Sequence, residues 1–386
     1  MTHALDIFEK MDQYGPEKVL AVSDPKTGMK GVLVIDNTAR GPGKGGCRMS
    51  PTLSIDEMAR LARAMTWKWA IVDFKYGGAK AGICNDPRSP HKEEIIRAFV
   101  KALQKYIPSE YVFGLDMGLN ESDAAIVVDE CNDISASMGT PPELGGIPYD
   151  QLGAAGFGAK ESARIALEMR NSDLKNTTVS IQGFGALGNA AASFLSEAGA
   201  TIVAVSTVEG VLHNQNGLDI PRLVELYKIY GDSAVYNYNG GKILGLGEEL
   251  LLDADVLILG AIQDVLHQGN ADMVKADIII EGANMPTTKE AEEILFSKGK
   301  LIVPDIVANA GGVIAAAIGM DARNSCMRPE PDIVYDLISC KMEQNVTRVI
   351  EEAVSKNIKT REAAMGIARE RVVKAMQFRG NKQIRL

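Results

Sequence analysis

The sequence predicts an α/β protein of two domains, one of which contains a parallel sheet covered by helices on both faces. A chain of 386 residues is longer than a single hydrophobic core usually supports, so two domains are expected. In the second half, short apolar segments alternate with helical or loop segments, as they do in parallel sheets. The predicted strands there are residues 177–182, 201–206, 255–259, 277–280 and 301–303.

The composition favours a small anionic ligand over a macromolecular partner. With 46% hydrophobic and 24% charged residues the chain should be globular, and its net charge of -9 argues against nucleic acid and anionic membranes. The five cysteines are scattered and form no C-x-x-C pair, which predicts reduced thiols and no metal site. We expect no signal peptide and no apolar run near the ~20 residues of a membrane span, hence a cytoplasmic protein.

The first domain, residues 1–148, is predicted to begin with short strands and helices. The apolar run within 30–36 predicts a strand, and the glycines of 41–46 predict a flexible segment after it. Ser54 and Glu57 match a capping box, in which both side chains satisfy free backbone donors at a helix start.

The helix after this capping box carries a lysine on its apolar stripe. The stripe reaches Met65, and the same spacing extends it to Lys68. A buried lysine needs a partner, and a bound carboxylate is a suitable one. A second helix is predicted over 92–107 and a strand over 111–113, after which Asp116 lies in a glycine-flanked turn.

Several lysines of this domain have unusual surroundings. Lys44 and Lys80 lie among glycines, which let the backbone approach a ligand closely. Each residue taken alone also has a structural explanation. Lys68 could cover apolar surface with its aliphatic stem, and Lys80 could be a solvated loop residue. Asp116 could stabilise the turn in which it lies. Taken together, a carboxylate and an amine near other cations form a proton-transfer pair.

The second domain, residues 149–330, contains a G-x-G-x-x-G sequence at Gly183, Gly185 and Gly188, directly between a predicted strand and a helix. That context predicts dinucleotide binding, because it supplies a tight turn and a helix N-terminus facing the pyrophosphate. The acid expected about 20 residues further on is replaced by Ser206 or Thr207, and the first acid is Glu209. No arginine stands nearby either, so NAD and NADP both remain possible.

Several segments also occur together in one order, namely 41–46, 65–68, 77–80, Asp116, 182–185, 281–288 and 304–313. In them the chain resembles the glutamate/leucine/phenylalanine/valine dehydrogenase family, and glutamate dehydrogenases most closely. The resemblance covers nearly the whole chain. It implies an N-terminal substrate and oligomerisation domain, a Rossmann-type doubly wound dinucleotide-binding domain, C-terminal helices over 331–386 that pack back on the first domain, and a homohexamer.

The resemblance implies reversible oxidative deamination of an L-amino acid to the 2-oxo acid and ammonia, with NAD or NADP as cofactor. Lys80 matches the catalytic lysine, Asp116 the acid that transfers protons, and Lys68 the lysine that binds the α-carboxylate. Lys44 matches the lysine that pairs with a glutamate side chain, whereas Ala316 replaces a serine of the glutamate enzymes. L-Glutamate is therefore favoured, and a leucine, valine or phenylalanine dehydrogenase is the alternative.

The remaining site residues follow from the same resemblance. Gly46 and Met65 join the substrate-binding set. The cofactor-binding set is Gly183, Phe184, Gly185, Ala186, Leu187, Gly188, Ser206, Thr207, Ala261, Asn284 and Asn309. A non-catalytic protein that senses nicotinamide nucleotides or binds a partner is the alternative of another class, and the intact Lys68, Lys80 and Asp116 argue against it.

Overall fold

The computed structural model describes residues 7–147, 151–323, 329–381 and 383–385, which divide into two compact units. The first unit comprises Met1–Tyr149, Ala315–Glu330 and Met365–Leu386. The second comprises Asp150–Ile314 and Pro331–Ala364. Two helices, α10 (Ala310–Arg323) and α12 (Thr360–Phe378), contribute residues to both.

The first unit contains a five-stranded mixed sheet. Its strands are β1 Lys18–Asp24, β2 Met29–Asn37, β3 Gly43–Met49, β4 Gly77–Ile83 and β5 Tyr111–Leu115, and its helices are α1 Ile55–Ile71, α2 Lys92–Leu103 and α3 Glu121–Cys131. The strand order is β1-β2-β4-β3-β5. β2 is antiparallel to β1 and β4, whereas β3 is parallel to both β4 and β5. The carboxyl ends of β3, β4 and β5 therefore lie at one edge.

Glycine-rich strands form the centre of this sheet, which corrects the predicted flexible segment at 41–46. Residues 43–49 form β3, and every residue of β4 is buried. A Cβ at Gly78 would lie 2.1 Å from Oγ1 of Thr66, and one at Gly82 would lie 2.3 Å from Leu53. Gly78 thus allows α1 to pack closely on β4, and Gly82 does the same for Leu53, which precedes the helix. Local sequence propensity cannot distinguish such packing glycines from those of a loop.

The helices α1 and α2 cover opposite faces of the sheet. Val32 and Val34 of β2 pack with Met58 and Ala62 of α1. The alternate residues of β2, such as Leu33, join the core that contains α2. The predicted inward residues of α2 are buried, namely Ile96, Phe99, Val100, Leu103 and Ile107, although the helix ends at Leu103.

The start and the buried face of α1 differ in part from prediction. Ser54 Oγ accepts a hydrogen bond from the Glu57 backbone N–H, but the Glu57 carboxylate pairs with Arg48 and so does not complete the capping box. Met65 and Lys68 are half-buried, whereas Thr66, Trp67 and Trp69 are buried. Glu57 does not cap the helix because it is paired with Arg48. Met65 and Lys68 are only half-buried because Trp67 and Trp69 occupy the buried face of the helix.

The second unit contains a seven-stranded sheet in a doubly wound α/β arrangement, as predicted. Its strands are β6 Thr178–Gln182, β7 Thr201–Ser206, β8 Val211–His213, β9 Lys242–Leu244, β10 Val256–Leu259, β11 Ile278–Glu281 and β12 Leu301–Val303; its helices are α4 Ala154–Glu168, α5 Ala186–Glu197, α6 Ile220–Tyr230, α7 Ala234–Asn237, α8 Lys289–Ser297, α9 Asp305–Ala308 and α11 Pro331–Lys356. The order is β12-β11-β10-β6-β7-β8-β9. All pairs are parallel except β7-β8 and β8-β9.

Two segments belong to other units than predicted. Helix α11, predicted to be one of the C-terminal helices that pack back on the first domain, belongs to the second unit, where the Tyr335 ring packs against Phe157 and Phe194. The Tyr335 hydroxyl also donates to the Leu152 carbonyl at 2.9 Å. Conversely, residues 315–330 belong to the first unit. Helical periodicity reveals a buried face but not which core it contacts, which is the reason for the difference.

One stretch of the described residues, Asp305–Ala322, is long and apolar enough to be considered as a membrane span, contrary to the sequence expectation. However, 67% of it is buried within the protein. A core helix meets the same criterion of length and composition, and burial accounts for its apolar character.

Candidate active site

Lys80 and Asp116 form an ion pair within the first unit. Lys80 lies in the middle of β4, and Asp116 directly follows β5, on the other side of the central strand β3. Nζ of Lys80 donates a hydrogen bond to Oδ2 of Asp116. Lys80 is only 6% exposed, and the Asp116 side chain is 19% exposed. The structure therefore brings together the two predicted catalytic residues.

Arg48 of β3 completes this cluster, and the sequence analysis missed it. Its Nε and one terminal nitrogen each lie 3.3 Å from Oδ1 of Asp116, and its other terminal nitrogen pairs with Glu57. The Met117 backbone N–H donates to the same Oδ1 at 2.6 Å. The available signal was the two-residue spacing from Gly46, which places both residues on one face of a strand.

The charges around Asp116 keep its carboxylate ionised. Burial alone would raise the pKa of Asp116, but the charge and hydrogen bond of Lys80, the Met117 N–H and the charge of Arg48 together hold that pKa below its usual value. An ionised carboxylate bonded to an ammonium group can exchange protons with it and with a ligand.

Gly46 and α1 define the space beside this pair. A Cβ at Gly46 would lie 2.8 Å from the Asp116 Cβ and 2.5 Å from the Leu115 carbonyl oxygen, so the approach of β5 requires glycine there. Met65 and Lys68 lie in the C-terminal half of α1, the helix that packs on β4 at Gly78. The predicted substrate-binding residues Gly46, Met65 and Lys68 thus belong to elements that contact Lys80's strand or Asp116.

Lys44 of β3 is fully buried among aromatic rings. Its Nζ lies 3.3 Å from the centre of the Tyr76 ring and 5.6 Å from that of Trp69. The Trp69 indole donates to the Lys44 carbonyl at 3.0 Å, and the Tyr76 hydroxyl donates to Asp321 at 3.0 Å. Ring faces stabilise an ammonium ion, so the aromatic residues hold the charge of Lys44 in a water-poor setting.

Ala316 lies in apolar surroundings. It is a buried residue of α10 and lines a small cavity with Met138, Ile147 and Met320. A serine at this position would introduce a polar hydroxyl group there. The structure thus supplies methyl and thioether groups around this predicted substrate-binding position.

A cleft of about 790 Å³ in the second unit lies at the carboxyl ends of β6, β7 and β10. The predicted cofactor-binding residues that line it are Gly183, Phe184, Gly185, Ser206, Thr207 and Ala261. Connections from β6 and β10 leave the sheet in opposite directions, and ligands of open α/β sheets bind at such a switch point. The cleft therefore fits a dinucleotide.

Each glycine of the G-x-G-x-x-G sequence is explained by a different feature of the structure. Gly183 has a φ of +89°, and a Cβ there would lie 2.6 Å from the Ala261 Cβ. A Cβ at Gly188 would lie 1.9 Å from the Gly183 carbonyl oxygen, so helix and turn could not pack as closely. Gly185 precedes α5, where Ala186 and Leu187 form the first turn, and a Cβ there would meet open space. The helix N-terminus is thus accessible to a phosphate.

The two hydroxyl groups at the end of β7 have partners within the protein. Ser206 Oγ accepts from the Gly183 N–H at 2.9 Å, and Thr207 Oγ1 donates to the Asp232 carbonyl at 2.9 Å. Glu209 is exposed and accepts from Ser233. The carboxylates that do line the cleft, Asp232, Glu249 and Asp264, are too far along the chain for the expected spacing of about 20 residues to identify them.

Asn284 and Asn309 follow β11 and β12 and lie next to each other. Nδ2 of Asn309 donates to Oδ1 of Asn284 at 3.1 Å and to the Gly282 carbonyl at 3.2 Å. They are brought together at the carboxyl edge of the sheet but are not among the residues that line the cleft described above.

A buried ion cluster supports the segments that carry these asparagines. Arg361 pairs with Glu281, Glu292 and Asp305, three buried carboxylates. Asp305 accepts from the Met285 N–H at 2.8 Å, and Glu281 accepts from the Asp305 N–H at 3.0 Å. The loop after β11 and the start of α9 are therefore fixed to one arginine.

Comparisons with known proteins cover almost the whole chain. Residues 16–133 match the Glu/Leu/Phe/Val dehydrogenase dimerisation domain, and residues 145–380 match the Glutamate/Leucine/Phenylalanine/Valine dehydrogenase domain. The NADP-specific glutamate dehydrogenase of Saccharolobus shibatae is 34% identical, over 97% of this chain and 92% of its own. Glutamate dehydrogenase A2 of Halobacterium salinarum is 36% identical, over 97% and 93%.

A solved structure shows the same fold. The hetero-hexameric glutamate dehydrogenase of Thermus thermophilus, in its leucine-bound form, superposes with a TM-score of 0.82 at 30% sequence identity. The match covers 95% of this chain and 90% of the other.

Proposed function

Because the chain belongs to the glutamate/leucine/phenylalanine/valine dehydrogenase family and is an NAD(P)-dependent amino-acid dehydrogenase, we propose that its substrate is L-glutamate. The reaction converts the amino acid and water to the 2-oxo acid and ammonia, with one hydride passing to the oxidised cofactor. The ion pair of Lys80 and Asp116 is the observation that carries the proposal, because this chemistry needs a proton acceptor and a proton donor side by side.

Lys80 and Asp116 divide the proton transfers. A bound nicotinamide would accept the hydride of the substrate Cα. Asp116 takes a proton from the substrate ammonium group and later returns it to the same nitrogen, which leaves as ammonia. Lys80, after giving up its own proton, takes one from the attacking water and stabilises the oxygen that water adds to Cα; the remaining hydroxyl proton passes to solvent as the 2-oxo group forms. Arg48 and the Met117 N–H hold the Asp116 carboxylate in place during these steps.

Two further lysines bind the carboxylates of the substrate in this proposal. Lys68 binds the α-carboxylate, which its position on α1 supports. Lys44 binds the side-chain carboxylate. Lys44 is buried, and a charged group in such a water-poor site attracts a carboxylate more strongly than it would in water. The relatives named glutamate dehydrogenase support the same substrate.

An aliphatic or aromatic amino acid is the second candidate. The observation that favours it is the apolar surroundings of Ala316: among the described residues next to it, Met138, Ile147 and Met320 carry no hydroxyl group for a γ-carboxylate. A leucine, valine or phenylalanine side chain would bury apolar surface against these residues.

A panel of L-amino acids, each assayed with NAD and with NADP, tests the proposal. Reduced cofactor is followed by its absorbance. We expect glutamate to give the highest kcat/KM of the panel. Higher values for leucine, valine or phenylalanine would support the second candidate. Turnover of none of them would instead support a protein that binds nicotinamide nucleotides without catalysis.

We further place the enzyme in the cytoplasm as a homohexamer. The match of residues 16–133 to a dimerisation domain supports an oligomer, and the Thermus thermophilus relative is described as hexameric. The free thiols of Cys47, Cys84, Cys131 and Cys340 fit a reducing compartment. Light scattering after size-exclusion chromatography would test the hexamer, and a dimer as the sole species would contradict it.

A further inference from the structure

We propose that Asp232 replaces the missing ribose-binding acid of the dinucleotide site and makes the enzyme select NAD over NADP. The inference rests on the proposed function only in that the cleft must bind a nicotinamide dinucleotide. The sequence contains no acid at the end of β7, where this fold usually has one, and that absence left the two cofactors undecided.

The position of Asp232 is the first argument. It is half-buried and lines the cleft beside Ser206, Thr207 and Val208, the residues at the end of β7. The Thr207 hydroxyl donates to the Asp232 carbonyl at 2.9 Å. This bond fixes the Asp232 backbone to the end of β7, so an acid from another part of the chain lies where the ribose of a dinucleotide is usually bound.

A second contact relates Asp232 to the glycine-rich turn. The Tyr227 ring packs edge-on against Phe184, with ring centres 5.4 Å apart. The pKa of the Tyr227 hydroxyl is raised, first by burial and then by the charge of Asp232 and a hydrogen bond to it. Tyr227 and Asp232 are therefore neighbours. Phe184, Tyr227 and Asp232 all line the cleft.

Glu249 has a different role from Asp232. It is buried, it accepts from the Gly247 N–H at 2.8 Å, and it also hydrogen-bonds Ser206. Since Ser206 accepts from the Gly183 N–H, these groups form a chain from the glycine-rich turn to Glu249. Glu249 thus supports the turn, and Asp232 is the half-buried acid that a sugar can reach.

The charge of the cleft is the third argument. Among the described residues that line it, Asp232, Glu249 and Asp264 are acidic and none is lysine or arginine. The 2′-phosphate of NADP carries between one and two negative charges near neutral pH and needs a cation close by. A ribose 2′-hydroxyl needs an acceptor, which the Asp232 carboxylate supplies. The cleft therefore favours NAD.

Titrations of the full-length enzyme with NADH and NADPH, followed by nucleotide fluorescence in the absence of amino acid, test the inference. We expect the wild-type Kd for NADH to be at least about tenfold lower than that for NADPH. Asp232→Asn should narrow this ratio at least about fivefold, because the charge is lost and the shape is kept. Added salt should narrow the wild-type ratio as well.

Two further variants sharpen the result. Glu209→Gln is the matched control, because Glu209 is the first acid after β7 but is exposed and does not line the cleft. The ratio of the two Kd values should stay within about twofold of wild type in this variant. Val208→Arg, at a residue 77% exposed, should tighten NADPH binding even if Asp232→Asn does not fold.

Equal or tighter binding of NADPH by the wild type would overturn the inference, as would a ratio that responds to Glu209→Gln and not to Asp232→Asn. In both cases the nucleotide site itself would stand. If neither nucleotide bound, the proposed function would fail together with this inference.

Discussion

Arg48 donates to the carboxylate oxygen of Asp116 that Lys80 does not contact. Both oxygens of this acid are therefore held by cations from neighbouring strands, β3 and β4. The arrangement fixes the direction in which Asp116 faces, and it explains why an acid in a turn can act with a lysine in the middle of a strand.

We predict that Arg48→Met lowers kcat about tenfold or more and shifts the acidic limb of the kcat profile to higher pH. Loss of the Arg48 charge should raise the pKa of Asp116, which burial already favours. Arg48→Lys should restore part of both effects. Arg60→Met, on the exposed side of α1, is the control. An unchanged pH profile in Arg48→Met would mean that Arg48 has a structural role only.

Lys80→Ala should reduce turnover by about 10²–10⁴-fold, the usual contribution of a general acid or base. NADH affinity should remain as in wild type, because the dinucleotide cleft belongs to the other unit. Lys101→Ala, an exposed residue of α2, provides the control. Retention of a tenth of wild-type turnover by Lys80→Ala would refute its catalytic assignment.

Lys44→Leu should raise the KM for glutamate and leave or improve that for leucine. The substitution removes a buried ammonium and adds apolar surface. Tyr76→Phe is a useful companion, since it keeps the ring over Lys44 and removes only the hydroxyl that donates to Asp321. If Lys44→Leu raises the KM for glutamate and for leucine equally, Lys44 does not distinguish between substrate side chains.

The cluster around Arg361 should make stability depend on pH. Burial, opposed by the Arg361 charge, raises the pKa of Glu281 to about 7 from 4.5. Between those values the native state binds a proton that the unfolded state lacks, so the free energy of unfolding falls as pH rises through this window, by at most about 3 kcal/mol.

Glu281→Gln should remove this dependence, because a neutral amide has no proton to lose. Relative to wild type, the variant should therefore gain thermal stability between pH 5 and pH 7.5 at fixed protein concentration. The control is Glu293→Gln, an exposed partner of Lys359. A variant whose midpoint followed the wild-type pH curve would exclude Glu281 as the titrating group.

Gly78→Ala should destabilise the protein by about 1–3 kcal/mol, because its Cβ would overlap Thr66 on α1. Gly366→Ala should act in the opposite direction by roughly 0.5–1 kcal/mol, since Gly366 is exposed inside α12 and its added methyl meets open space. Thermal midpoints of the two variants provide the comparison. A stabilised Gly78→Ala would show that α1 can move away from β4.

The sequence predicted a site correctly where all the residues that form it are close together in the chain. The strand, glycines and helix around Gly183 were predictable because the turn, the phosphate site and the helix start lie within a few residues. β3 was missed because its glycines accommodate β4 and β5, which are distant in sequence. Arg48 joins its site through the strand order, and Asp232 joins its site through a hydrogen bond from the Thr207 hydroxyl. Contacts between residues that are distant in the chain produce no periodic pattern, so a single sequence does not predict them.

The contact between α1 and β4 also sets a distance that matters for the substrate. Gly78, two residues before Lys80, contributes no side chain of its own, so its backbone lies directly against Thr66 and sets the spacing between the helix of Lys68 and the strand of Lys80. On their proposed roles, one lysine binds the substrate carboxylate and the other acts at the carbon that carries nitrogen. An additional methylene between those groups would not match a fixed spacing. We therefore expect discrimination against β-amino acids to depend on the close packing at Gly78.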